Sequence, residues 1–173
     1  DKIDKANLKI FGNLPYNISS QILVKFLKTK KWPPVFNDLV FMFQKELAEK
    51  ILGKFHSSNY GRLSIISNYR LKCENKFLVS KNCFIPKPKV DSIVIEFEPI
   101  VRKDLNFKSI ESLEYITNVF FSNRRKMINK TFKKLKIYND KFLQNNSIDL
   151  TLRPENLSEN LYYKITEYYE KNR

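Results

Sequence analysis

The chain has 173 residues, 42% of them apolar, enough for a packed core in one ordinary domain or in a medium domain plus a small one. Its 32 Lys and Arg against 18 Asp and Glu leave a net charge of +14, which points to a polyanionic partner, most commonly nucleic acid. No apolar run approaches the roughly 20 residues of a membrane span, no signal-peptide pattern is seen, and the single histidine leaves Ser-His-Asp and metal-histidine mechanisms little to draw on.

The abundance of Lys, Asn and Ile also fits an AT-rich source, which raises lysine without any binding role. The 9 Tyr and 14 Phe suit stacking on bases, although most aromatics are expected in the core. Cys73 and Cys83 lack the flanking ligands of a zinc site, so reduced thiols in a cytosolic protein are expected. His56 lies in a polar stretch and reads as a solvated loop residue.

Residues 1–7 are polar and read as a loop or frayed end. Residues 8–12 form a short β-prone run, and Asn13-Leu14-Pro15-Tyr16 follows as a tight loop before a helix. Gly12 is expected to free the chain from the sheet, and Pro15 to fix φ. The result is a rigid loop at the carboxyl end of a strand, where open α/β sheets bind ligands. Here the Asn13 amide and the Leu14 carbonyl can both accept hydrogens from one exocyclic amine, while Tyr16 offers a stacking face. An adenine amine is a weak nucleophile because its lone pair is delocalised into the ring. Two acceptors on its hydrogens favour a pyramidal nitrogen whose lone pair points at an electrophile. The same four residues also suit a plain turn in which Asn13 only tolerates an unusual backbone conformation.

Asn17 is the expected N-cap of a helix whose face is Ile18, Ile22, Leu23, Phe26 and Leu27, and Pro33-Pro34 rules out its continuation. Residues 39–43 are continuously apolar, the mark of a strand buried on both faces, and 46–52 read as a helix ended by Gly53. Gln44-Lys45-Glu46 either lines the same cleft or begins a solvated helix. Residues 61–69 suggest a helix, 71–79 a strand, and 90–97 a last strand after Pro86-Lys87-Pro88, the two strands making an antiparallel edge on a mostly parallel sheet. The proline pair holds that loop extended and presents Phe84 at a defined place, although a core aromatic under the loop is the plainer reading.

After a linker at residues 99–104 the pattern is helical, over 109–121, 124–135, 141–145 and 159–169, the last with Ser158 as N-cap. Arg124, Arg125, Lys126, Lys130, Lys133, Lys134 and Lys136 follow one another without an acid, and Met127, Ile128, Phe132 and Leu135 interleave as a packing face. A charge run is often only a solvated surface, but cations at this density repel one another and favour a phosphate backbone.

The run Phe11-Gly12-Asn13-Leu14-Pro15-Tyr16-Asn17-Ile18-Ser19 resembles the catalytic motif of adenine-N6 methyltransferases acting on RNA, above all the bacterial 16S ribosomal RNA adenine dimethyltransferases. Phe43-Gln44-Lys45-Glu46, Tyr60-Gly61-Arg62-Leu63-Ser64, Phe84-Ile85-Pro86-Lys87-Pro88-Lys89-Val90-Asp91-Ser92 and Phe121-Ser122-Asn123-Arg124-Arg125-Lys126 resemble further motifs of that family, in the family's order. The resemblance implies an α/β fold: the carboxyl-terminal part of a Rossmann-like S-adenosylmethionine-dependent methyltransferase sheet, followed by a small all-helical domain. Residues 1–100 would be a partial catalytic domain holding the acceptor-base half, and 101–173 a helical RNA-binding domain.

The implied activity is methyl transfer from S-adenosylmethionine to the N6 amines of adenosines in 16S ribosomal RNA, in small-subunit biogenesis, by a cytoplasmic monomer without a metal. Asn13, Leu14, Pro15, Tyr16 and Phe84 would be catalytic, with Tyr16 and Phe84 sandwiching an adenine drawn out of the RNA, and Asn13 would also touch the cofactor. Arg124, Arg125, Lys126, Lys130, Lys133 and Lys134, with Lys87 and Lys89 of the proline loop, would contact RNA. A roomy pocket beside Asn13 is expected, because a dimethylating enzyme must let the singly methylated amine turn and rebind. In the family a glycine-rich cofactor loop lies upstream of the Asn-Leu-Pro-Tyr strand. Gly12, Gly53 and Gly61 stand far apart and cannot supply it, so an amino-terminally truncated piece is expected. Two alternatives stay open: a 23S ribosomal RNA adenine methyltransferase, which shares Asn-Leu-Pro-Tyr, and a non-catalytic RNA-binding or ribosome-assembly module.

Overall fold

Four β-prone runs build a four-stranded sheet in the computed structural model, which describes residues 8–105 and 107–173. Its strands are β1 (Lys9–Asn13), β2 (Asp38–Gln44), β3 (Leu71–Val79) and β4 (Ser92–Pro99), in the order β1-β2-β4-β3. β1 and β2 are parallel and joined through helix α1 (Ser19–Leu27), whereas β4 is antiparallel to both β2 and β3. β4 and β3 make the antiparallel edge expected of them, with β3 outermost; because β4 also pairs antiparallel with β2, two of the three strand pairings among the described residues are antiparallel, so this part of the sheet is not mostly parallel. The expected loop or frayed end at residues 1–7 lies outside the described residues.

The described residues fall into two compact units. The first ends at Leu52 and resumes over Ser67–Arg102; the second takes Gly53–Ile66 and Lys103–Arg173. This differs from a linear division at residue 100, and the reason is local. Tyr60 is buried within the second unit and donates its hydroxyl to the Leu157 carbonyl at 2.8 Å, so the segment that carries it packs with the later helices. Helix α3 (Arg62–Arg70) contributes its first half to one unit and its second half to the other.

In the first unit Leu39, Phe41 and Phe43 of β2 and Ile95 and Phe97 of β4 point to one face and are fully or almost fully buried, with Leu23 and Leu27 of α1 and Ala48 and Ile51 of α2 (Lys45–Ile51). Phe26 packs on Phe41 at 5.3 Å between ring centroids, and Phe43 on Phe97 at 6.5 Å. Residues 39–43 were expected to be covered on both faces, but Val40 is only partly buried and on the open face Phe11 and Phe77 are 72% and 60% exposed. A polar row crosses that open face. Lys9 bridges Asp38 and Glu96 at 3.1 and 3.2 Å, and Asn75 donates to Glu96 at 2.7 Å. Arg70 donates to the carbonyls of Leu27 and Thr29 and lies over the Trp32 ring, whose Nε1 donates to Ile100, so the end of α1 is tied to the last strand's exit.

Gly12 lies inside β1, opposite Phe41, rather than freeing the chain from the sheet; a Cβ there would stand 2.9 Å from both Leu14 and Phe41 side-chain carbons. Gly53 follows α2 as expected, but for a different reason than a left-handed cap. A Cβ would meet the Asn59 carbonyl oxygen at 2.4 Å, which only glycine avoids.

The second unit contains α4 (Ile110–Phe121), α5 (Asn129–Lys134), α6 (Asp140–Asn145) and α7 (Glu159–Lys171). Ser109, Asn139 and Ser158 cap α4, α6 and α7 through side-chain oxygens. Phe120 sits between Phe132 and Tyr162 in edge contacts at 5.6 and 5.5 Å. Tyr60, Tyr162 and Tyr163 are fully buried, and each donates its hydroxyl to a backbone carbonyl, of Leu157, Pro154 and Ile65. Burial pushes the Tyr60 and Tyr162 hydroxyls well above the usual phenol range.

Candidate functional site

The loop Asn13-Leu14-Pro15-Tyr16 leaves the carboxyl end of β1 and turns into α1. Asn17 does not cap that helix: Ile18 holds the cap position, with no side-chain bond. The turn is closed instead by the Ile18 amide donating to the Pro15 carbonyl at 3.1 Å and by the buried Ser19 hydroxyl donating to the Tyr16 carbonyl at 3.1 Å. The Tyr16 hydroxyl shares a 2.8 Å hydrogen bond with Ser92 at the start of β4. Among the described residues, no partner engages the Asn13 amide or the Leu14 carbonyl, so both oxygens keep their acceptor capacity.

A cavity of about 340 Å³ opens beside this loop, lined by Asn13, Leu14, Pro15 and Tyr16, by Met42 of β2, and by Phe84, Pro86 and Pro88. All five residues assigned to catalysis from the sequence thus line one cavity. Phe84 is not core under its loop: it is partly exposed, in extended backbone after the 3-10 turn Lys81–Cys83. The Ile85–Pro86 peptide is cis. Lys87 and Lys89 are exposed on the same loop, beside the two prolines that line the cavity. The volume suits a planar base with space around its amine, and the lining is apolar and aromatic with a small number of polar atoms, as ligand sites usually are.

Gln44-Lys45-Glu46 takes the solvated-helix reading. Gln44 precedes α2, and Glu46 is exposed and pairs with Lys50 at 2.6 Å, which holds its carboxyl below the usual range. Tyr60-Gly61-Arg62-Leu63-Ser64 is also structural: Arg62 binds Glu114 and Asn118, and Ser64 exchanges hydrogen bonds with Gly61.

The basic segment departs from the expected helix over 124–135. Arg124, Arg125 and Lys126 lie in a turn, and only Asn129–Lys134 is helical. The reason is in the backbone: the amides of Ile128 and Asn129 donate to the carbonyls of Leu152 and Leu150, so they cannot close a helical turn with residues 124 and 125. Ile128, Phe132 and Leu135 are buried as expected, while Met127 is 51% exposed and leaves the packing face to Thr131. Arg124, Arg125, Lys126, Lys130, Lys133 and Lys134 are exposed. The run carries no acid of its own, yet Glu155 supplies one, 2.8 Å from the Arg124 guanidinium.

Met42 and Ser92 are site residues that the sequence reading passed over. The parallel register pairs Met42 with Asn13, so β2 alternation was the available signal for the first. Ser92 lay inside a recognised motif, but nothing in the sequence linked it to Tyr16. Other chemistry has little support. Burial raises the Cys73 thiol, the opposite of an activated nucleophile, and no group of three His, Cys, Asp or Glu is placed to hold a metal among the described residues. No described helix is long and apolar enough to cross a membrane.

Comparison with known proteins gives the geometry a lineage. The ribosomal RNA adenine dimethylase model matches residues 1–171. Ribosomal RNA small subunit methyltransferase A of Pelagibacter ubique is 41% identical over 168 residues, covering 97% of this chain and 64% of the relative. The same-named protein of Malacoplasma penetrans is 40% identical over 168 residues, covering 94% and 58%. The chain therefore spans roughly 60% of the length of these curated relatives. A crystal structure of a dimethyladenosine transferase from Plasmodium falciparum superposes with a TM-score of 0.75 at 25% identity, over 95% of this chain and 66% of that one. The 23S rRNA methyltransferase ErmE shares the fold, with a TM-score of 0.63 at 20% identity, over 94% and 65%. The fold is that of the α/β methyltransferase sheet with a following helical part, and the chain belongs to the ribosomal RNA adenine dimethylase family.

Proposed function

We propose that the protein carrying this chain transfers methyl groups from S-adenosylmethionine to the N6 amines of adenosines in 16S ribosomal RNA, forming dimethyladenosine during small-subunit biogenesis. The observation that carries the reading is the single cavity lined by Asn13, Leu14, Pro15, Tyr16 and Phe84. The names of the 41% and 40% identical relatives support the small subunit as the source of the RNA.

In this reading Asn13 and the Leu14 carbonyl each accept one hydrogen of the amine, which draws the nitrogen toward a tetrahedral shape and aims its lone pair. Pro15 keeps the loop rigid, and Tyr16 and Phe84 hold the base between their rings. After the first transfer one hydrogen remains, and the space toward Met42 lets the amine rotate and present it again. S-adenosylmethionine, when bound, supplies an electrophilic methyl group. Of the polar atoms in the lining, the Asn13 amide would hold its methyl-bearing end, and the aromatic faces of Tyr16 and Phe84 suit a nearby positive charge. No described residue is assigned to its ribose or adenine.

Residues 1–100 act as the acceptor-base half of a catalytic domain and 101–173 as an RNA-binding domain. Arg124, Arg125, Lys126, Lys130, Lys133 and Lys134 contact phosphates, with Lys87 and Lys89 contacting RNA near the cavity. The protein works as a cytoplasmic monomer without a metal. The test is incubation with methyl-labelled S-adenosylmethionine and small-subunit RNA, followed by nucleoside analysis. Label in N6,N6-dimethyladenosine, with N6-methyladenosine as its precursor, lost in Asn13→Ala, is the expected result; label confined to N6-methyladenosine or found on any nucleoside other than adenosine overturns the reading.

A further inference from the structure

Two neighbouring residues outside the assigned machinery are bonded to segments that carry the two aromatic walls of the cavity: Ser92 to Tyr16 itself, and Asp91 to the turn that precedes Phe84. Ser92 opens β4, is completely buried, and is paired in register with Gln44 at the end of β2 and Val79 at the end of β3, so the sheet fixes it on both sides. Its hydroxyl meets the Tyr16 hydroxyl at 2.8 Å. A buried hydroxyl is costly without a partner, and Ser92 spends its side chain on a residue of the cavity wall. Asp91 precedes it. The Asp91 carbonyl accepts from the Lys45 amide at 3.0 Å, which pins this point to the β2–α2 junction. The Asp91 carboxylate accepts from the Lys81 amide at 2.9 Å, at the first residue of the turn that delivers Phe84.

We infer that Asp91 and Ser92 are positioning residues that together set the gap between Tyr16 and Phe84. The inference rests on the base-stacking reading above. One wall is tied to Ser92 by its phenol. The other is tied to Asp91 by the backbone amide three residues before Phe84. Because the two anchors are adjacent in the chain, Ser92 held in the sheet and Asp91 pinned at the β2–α2 junction, the spacing between the rings is referred to a single rigid point.

The probe is a short single-stranded RNA with 2-aminopurine in place of one adenine, titrated with the full chain. Fluorescence quenching at saturation reports how well the base is stacked, separately from how tightly the RNA binds. Ser92→Ala and Tyr16→Phe each remove one hydroxyl of the pair. Each is expected to weaken binding about fivefold and to lower the saturating quench by the same amount, with the double variant no worse than either. Asp91→Ala is expected to lower the quench through Phe84, and Asp91→Asn, which keeps an oxygen for the Lys81 amide, to restore it. Full quenching in Ser92→Ala, additive losses in the double variant, or an Asp91→Asn as poor as Asp91→Ala overturns the inference. Tyr16→Phe keeps the ring and needs no repacking, so it carries the test even where Ser92→Ala fails to fold. Tyr16→Ala separates the two levels. Quenching retained in Tyr16→Ala refutes base stacking and the inference with it, whereas quenching lost there but intact in Ser92→Ala and Asp91→Ala refutes the inference alone.

Discussion

The two units use tyrosine in opposite ways. In the second unit Tyr60, Tyr162 and Tyr163 are fully buried and spend their hydroxyls on backbone carbonyls. In the first, Tyr16 is only partly buried, lines a cavity, and bonds to another side chain. The three core phenols tie buried rings to distant backbone, whereas Tyr16 is held by Ser92 at its hydroxyl while part of its ring surface stays on the cavity, as a stacking surface requires. Substitutions in the two settings should therefore separate stability from function.

The largest effect on stability is expected from Phe120→Ala, which empties the centre of the second unit's aromatic cluster and should cost about 3–5 kcal/mol by denaturant unfolding. Tyr16→Ala should cost far less, and an equal loss would dissolve the contrast. Next, Asn13→Ala in the protein carrying this chain should lower methyl transfer by about a hundredfold or more, on the scale of a lost transition-state hydrogen bond, while RNA binding by filter retention stays nearly unchanged. Equal loss of both would make the loop structural. Tyr60→Phe should lower stability by about 1 kcal/mol, because the Leu157 carbonyl loses its donor inside the core.

Neutralising Arg124 and Arg125 should weaken RNA binding and reduce the slope of log affinity against log salt by roughly 1.5 to 2. Glu155 already pairs with Arg124, so part of the Arg124 effect should appear in a Glu155→Gln variant with the opposite sign. The smallest effect concerns the open sheet face. Asn75 first, then Lys9, lower the Glu96 carboxyl below its ordinary value. A carboxyl depressed in the folded state adds stability above its unfolded pKa and loses it as pH falls through the folded one. Asn75→Ala should raise the Glu96 titration midpoint, followed by NMR, and blunt the acid-side loss; an unmoved midpoint would mean that Lys9 alone sets it.

Much of this molecule could be read from its residues, and the failures share a cause. Strand β4 and the Ser158 cap are where alternation and cap chemistry put them, to within two residues, because both signals are local. Phe84 lines the cavity and is partly exposed, against the plainer expectation of a core aromatic under its loop. What local patterns could not deliver depends on distant partners. The basic segment fails to continue as a helix because Leu150 and Leu152 claim its amides, and Asn17 does not cap because it falls inside the turn closed from Ile18 to Pro15, which moves the cap position to Ile18. Gly53 is small because Asn59 passes close by, a fact about packing that no helix-ending rule contains.

The two backbone bonds from Ile128 and Asn129 to the 150–152 segment also have a bearing on evolution and engineering. The shape of the Arg124–Lys126 turn is written in main-chain atoms, while its charge is written in side chains that take no part in those bonds. Selection can then retune the electrostatics of this patch one substitution at a time without disturbing the fold beneath it. The same independence makes it a natural place to exchange charges or to attach a reporter group.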